Sequence, residues 1–145
     1  MAGRTLLCGG GLAVLLALSG CSSGGTSRAE FVKQANSVCA QHRETIEAAA
    51  SQVLAGGSLP DPQQFGRLAQ ETIIPELTAQ FAELDDLEPP DDLADDVMSY
   101  VSDGEAVVDK LRQDPSLITD AANFTGLNDK ATQVGLSDAC NVGPQ

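Results

Sequence analysis

From Ser27 to about Ala55 the apolar positions Phe31, Ala35, Val38, Cys39, Ile46, Ala49, Val53 and Leu54, with His42 among them, recur at steps of three and four. That spacing predicts an amphipathic helix. Ser27 is placed to cap it, Glu30 completes a capping-box pattern, and Gly56-Gly57 marks its end. Asp61-Pro62 predicts the start of a second helix, with Asp as N-cap and Pro at the first helical position, where a missing N–H costs nothing. Its apolar stripe is Phe65, Leu68, Thr72, Ile73, Leu77, Phe81 and Leu84. Pro75 interrupts this run and removes a bond to the carbonyl of Glu71, so a kink is expected near 71–75 rather than a break.

Pro89-Pro90 forces a turn, after which Asp91 or Asp92 is expected to cap a third helix reaching about Arg112. Leu93, Val97, Tyr100 or Val101, Gly104, Val108 and Leu111 face inward on this reading. Gly104 weakens the helix by about 1 kcal/mol relative to Ala, or permits a close helix crossing. A fourth helix is expected after Asp114-Pro115, through Leu117, Ile118, Ala121, Phe124, Leu127, Ala131 and Val134, irregular around Gly126 and ended by Gly135. No segment alternates with period two, so the expected fold is all-α, a four-helix up-down-up-down bundle spanning 28–145.

The first 20 residues differ in kind. A basic start at Arg4 precedes an apolar run from Leu6 to Leu18, interrupted by Gly9 to Gly11. This is the layout of a cleaved signal peptide, and it is too short to span a membrane, which takes about 20 apolar residues. The run ends in Leu18-Ser19-Gly20-Cys21, which resembles the lipobox of bacterial lipoproteins. That resemblance implies cleavage before Cys21 and attachment of diacylglycerol to its thiol. The competing reading is ordinary cleavage at the small-x-small site Ala17-Leu18-Ser19. Residues 21–27 then form the lipidated cysteine and a tether, Ser22 to Ser27, reaching ~13 Å from the lipid.

Removing Arg4 takes the formal net charge one unit below the −13 of the full chain. Such a surface excludes nucleic acid, whose binding relies on Lys and Arg neutralising phosphates. The expected partner is the membrane, reached through the lipid on Cys21. With Cys8 discarded and Cys21 lipidated, Cys39 and Cys140 remain in an oxidising compartment, where they are expected to bond. The bridge would close a loop of about 100 residues and stabilise the fold by roughly 4 to 5 kcal/mol. The rival reading, free or metal-binding thiols, lacks a CxxC spacing.

The segments "FVKQANSVCAQH", "IIPELTAQFAELDDLEPPDDL" and "VGLSDAC" are similar to a group of small actinobacterial exported proteins of unassigned function. The resemblance covers most of 31–140 and implies the bundle and the Cys39–Cys140 pair. It implies no activity and brings no functional residues.

Candidate chemistry is sparse. His42 is the single histidine, one turn after Cys39. A Cys–His nucleophile pair would need the thiol that the disulfide consumes, so a partly buried spacer or a hydrogen bond to a neighbouring helix is the expected role. Joined to Glu30, Glu44 or Glu47 it does not reproduce the Glu-x-x-His pattern of di-metal bundles. Glu83, Asp85, Asp86, Glu88, Asp91, Asp92, Asp95 and Asp96 place eight carboxylates within fourteen residues. The later ones suit a helix N-terminus and the earlier ones oppose a C-terminal dipole. Asp91, Asp92, Asp95 and Asp96 are therefore weak candidates for a divalent cation, without EF-hand spacing, and the whole run is a candidate face for a basic envelope protein. The four phenylalanines are expected inside, which argues against base or sugar stacking.

No cofactor motif is present and no enzyme is expected. The leading expectation is a non-enzymatic, lipid-anchored binding module on the extracytoplasmic face of the cell membrane. The alternative is a carrier holding a small apolar ligand or lipid in the bundle, loosened at Pro75, Gly104 and Gly126. An apolar cavity of roughly 300 Å³ or more would favour the carrier.

Overall fold

The computed structural model describes residues 26–55 and 61–144. The expected signal peptide, Cys21, most of the tether and the Gly56-Gly57 helix end lie outside them. The described residues are helical and contain no strand. Helix α1 (Arg28–Leu54) starts at Ser27, whose hydroxyl accepts the Glu30 N–H at 3.3 Å. It buries Phe31, Ala35, Cys39 and His42, while Leu54, expected inside, is 55% exposed.

Helix α2 (Pro62–Leu68) begins as its sequence requires: Asp61 accepts the N–H groups of Gln63 and Gln64, and the Gln64 side chain returns a bond to the Asp61 N–H. It runs directly through a π-helical segment (Ala69–Ile73) into α3 (Ile74–Asp85). The segment refines the kink expected at Pro75. Pro75 leaves the Glu71 carbonyl without its usual donor, and the backbone widens by one residue ahead of it, so that the Ile74 N–H reaches Ala69 O. The extra residue turns adjacent pairs inward: Leu68 with Ala69, and Ile73 with Ile74, are all buried.

Helix α4 (Ala94–Gln113) buries Val97, Tyr100, Val101, Gly104, Val108 and Leu111 as predicted. Its cap is different. Leu93 occupies the N-cap position with no side-chain bond, and Asp92 instead lies 3.7 Å from Arg28 at the surface. Helix α5 (Thr125–Val134) is much shorter than the expected fourth helix. Residues before it form two 3-10 turns, Pro115–Thr119 and Ala121–Asn123. Asp114 and Asp120 cause this, each accepting the N–H two residues on and so competing with helix propagation. Gly126, expected to be the irregular point, sits inside α5. Gly135 ends α5 in the left-handed region, and the Leu136 N–H folds back to Ala131 O, the Schellman arrangement.

In space α1 packs on α3, α3 on α4, and α4 on α5. A last 3-10 turn, Asp138–Cys140, returns the chain to α1. There Cys39 and Cys140 stand at bonding distance, with Cα atoms 4.9 Å apart. The core centres on Phe81, which meets Tyr100 edge to face at 5.7 Å and lies under Gly104. A Cβ at residue 104 would fall 2.1 Å from the Phe81 ring, so this glycine sets the α3–α4 approach.

Gly104→Ala is expected to destabilise the fold by about 1–3 kcal/mol despite the better helix propensity of Ala. Gly126→Ala, where a Cβ meets nothing within 4 Å, should instead stabilise by about 0.4–1 kcal/mol. Urea unfolding of both variants checks the pair.

Candidate functional site

The expected chemical residues fall in two places, and neither is catalytic in form. His42 is buried on α1 and its Nδ1 lies 2.6 Å from Glu76 Oε2 on α3. Its Nε2 approaches Glu83 Oε1 to 3.3 Å without hydrogen-bond geometry and is left as a buried atom without a partner. This matches the inter-helix bond expected for a lone inward histidine. Within the acidic run, Asp92 lies 3.7 Å from Arg28.

Asp91, Asp92, Asp95 and Asp96 lie on the turn before α4 and in its first turn. Among the described residues no three His, Cys, Asp or Glu side chains converge as a metal-holding group. Helix α4 starts at Ala94, one or two residues later than a cap at Asp91 or Asp92 implies, so these aspartates are spread over the turn and the helix start.

Among the described residues, a mainly apolar concavity lies elsewhere. A pocket of about 370 Å³, partly open to solvent, lies between α1, the α2–α3 run and the C-terminal residues 139–144. Its walls are mainly apolar, with Ile46 from α1, Ile73 and Leu77 from the π segment and α3, Ile118 from the first 3-10 turn, and Val142 and Pro144 from the C-terminal tail. Arg43 stands at the pocket, its Nε bonded to Glu47 at 2.7 Å and its Nη1 donating to the Asp138 carbonyl.

Two residues here escape the sequence expectations. Phe65, expected in the core, is only half-buried and lines the pocket. Gln80 is 3% exposed, lines the same pocket, and its amide makes no hydrogen bond among the described residues. The signal for Gln80 was present: it falls on the stripe Ile73, Leu77, Gln80, Leu84, a polar residue at an apolar position.

The tail that closes the pocket is tied down at several points. Val142 donates its N–H to Asn128 Oδ1 at 2.9 Å and its carbonyl accepts from Asn128 Nδ2 at 3.0 Å. Tyr100 donates its hydroxyl to the Cys140 carbonyl at 3.1 Å, and burial pushes its phenol above the ordinary tyrosine value. The Ser137 N–H bonds Asn36 Oδ1 at 2.8 Å. Gly143 has φ +89°, and a Cβ there would meet the Phe124 ring at 2.3 Å, so the tail lies flat on Phe124. The arrangement can hold a ligand in an apolar space with one buried amide. It supplies no nucleophile and base in contact.

No protein-family model, curated protein or solved structure matches the chain.

Replacing both Cys39 and Cys140 by Ser should lower stability by roughly 2–5 kcal/mol. It should also speed amide exchange at residues 139–143 more than in α4. Denaturant melts and hydrogen exchange by mass spectrometry read the two effects.

Proposed function

We propose that the chain is a lipid-anchored domain on the extracytoplasmic face of the cell membrane that acts by non-enzymatic binding, and that its ligand is a small apolar molecule seated in the pocket behind the C-terminal tail. The observation that carries this reading is the pocket itself. At about 370 Å³ it exceeds the roughly 300 Å³ at which small-molecule sites begin. It is also more than twice the ~150 Å³ of an apolar cavity that takes benzene.

The anchor rests on the Leu18-Ser19-Gly20-Cys21 pattern and on the resemblance to exported actinobacterial proteins. No helix among the described residues is long and apolar enough to cross a membrane. A lipid on Cys21 is the means of attachment in this reading, with the bulk of the acidic surface repelled by anionic headgroups. The up-down-up-down course is part of the same proposal. It is supported by the neighbour order α1, α3, α4, α5 and by the return of the tail to α1.

Two measurements test it. The full mature chain, made with Cys21→Ser behind a conventional secretory signal, keeps the disulfide and omits the acyl chains. Titrated with the uncharged fluorophore N-phenyl-1-naphthylamine, it is expected to give a saturable one-to-one signal that Ala139→Phe abolishes by filling the pocket. A linear, unsaturable signal, or one indifferent to Ala139→Phe, defeats the pocket reading.

For the anchor, mass spectrometry of the protein extracted from membranes should find Cys21 as the first residue, carrying a diacylglycerol mass. An unacylated N-terminus would reject it.

A further inference from the structure

We infer that the site takes a single-chain amphiphile with an uncharged hydrogen-bonding head, the head seated against Gln80 and the chain running past Phe65 into a second chamber. This deepens the binding reading above and rests on it. The second chamber, about 360 Å³, lies between Pro62 and Gly66 of α2 and Pro115 and Ser116 of the first 3-10 turn. It shares Phe65 and Thr119 with the first pocket. A rigid ring compound fills one chamber. A flexible chain can bend round Phe65 and bury its length in both.

The second chamber is lined by Gly66, and a Cβ at residue 66 would stand in open space, meeting nothing within 4 Å. Its lining is largely apolar, which suits a hydrocarbon tail. The polar requirement is confined to the first chamber, where the buried Gln80 amide offers both a donor and an acceptor. With no hydrogen bond among the described residues and its polar atoms not fully buried, that amide keeps contact with solvent, so a purely hydrocarbon occupant would strip those water contacts without replacing them. A hydroxyl, ester carbonyl or amide would replace them.

The head is uncharged because the pocket offers no free cation to a carboxylate or phosphate. Arg43 is committed to Glu47 and to the Asp138 carbonyl, and Glu47 brings its own negative charge to the same wall. The strongly acidic chain repels an anion further.

Calorimetric titration of the unlipidated full mature chain with straight-chain alcohols, from hexanol to tetradecanol, tests the arrangement. Affinity is expected to rise about fourfold per methylene as each is buried. In Gly66→Leu, which fills the second chamber from open space, the rise should stop several methylenes earlier. Gly66→Ala adds one carbon and should give an intermediate limit, so the comparison survives if the Leu variant folds poorly. Gln80→Leu should weaken every alcohol by about tenfold while keeping the dependence on length. Dodecanoate should bind at least about tenfold more weakly than dodecanol.

The inference is overturned, with the pocket reading intact, if N-phenyl-1-naphthylamine binds saturably but the limiting chain length is the same in wild type, Gly66→Ala and Gly66→Leu. Equal binding of dodecanoate and dodecanol overturns the uncharged head. If neither the fluorophore nor any alcohol binds, the pocket reading falls and this inference with it.

Discussion

Cys140 is fixed from two directions, and the pocket depends on that fixation. Its sulfur stands at bonding distance from Cys39 on α1, and its carbonyl accepts the hydroxyl of Tyr100 on α4. A short segment following α5 is thereby held against α1 and α4, and residues 142–144 have no helical hydrogen bonds of their own. From this point the chain continues through Val142, clamped on both backbone groups by Asn128, and Gly143, flat on Phe124. The result is a wall built of irregular backbone, held through the N–H and carbonyl of both Cys140 and Val142. A cross-link spanning about 100 residues restricts the unfolded chain most. Here it also positions a surface.

The opposite wall depends on a different constraint. Pro75 cannot donate to Glu71, and the π segment that forms ahead of it inserts one residue into the α2–α3 run. That insertion is what turns Leu68 with Ala69, and Ile73 with Ile74, toward the interior as pairs. It also places Phe65, one turn before the π segment, where it is half-covered and shared between two cavities. The His42–Glu76 contact then ties α1 to the first turn of α3 just beyond the irregularity. A π turn costs helical regularity, and such turns are frequent at sites of function.

Much of this was legible in the sequence. The all-helical class, the inward faces of α1 and α4, the Asp61 cap, the Gly135 end, the close crossing at Gly104 and the inter-helix role of His42 follow from period, caps and small residues, which act locally. What was not legible depends on competition. Asp114 reads as the lead-in to a helix, yet its carboxylate and that of Asp120 each capture the N–H two residues on and hold residues 115–123 in 3-10 turns. Asp91 and Asp92 read as caps for α4, but the turn after Pro90 begins the helix at Ala94. The pocket was illegible for a plainer reason. It is bounded by a tail without periodicity and by Phe65, whose apolar character marks it as core whether or not anything covers it.

Gln80 and Phe65 depart from the pattern of polar outside and apolar inside, and they do so in the same place. Gln80 is a polar side chain only 3% exposed on the apolar stripe of Ile73, Leu77 and Leu84, with no hydrogen bond among the described residues. A phenylalanine left half-covered forfeits part of the roughly 1.5–3 kcal/mol that full burial gives. Two such departures at unrelated points of a bundle would be ordinary imperfections. Both line one apolar pocket, closed by a tail that the bridge, the tyrosine and the asparagine clamp hold in place. A fold selected for stability alone would fill that space with larger side chains and an apolar residue 80. An unfilled apolar volume with a half-covered Phe65 and the polar Gln80 in its walls is the observation on which the proposed binding role rests.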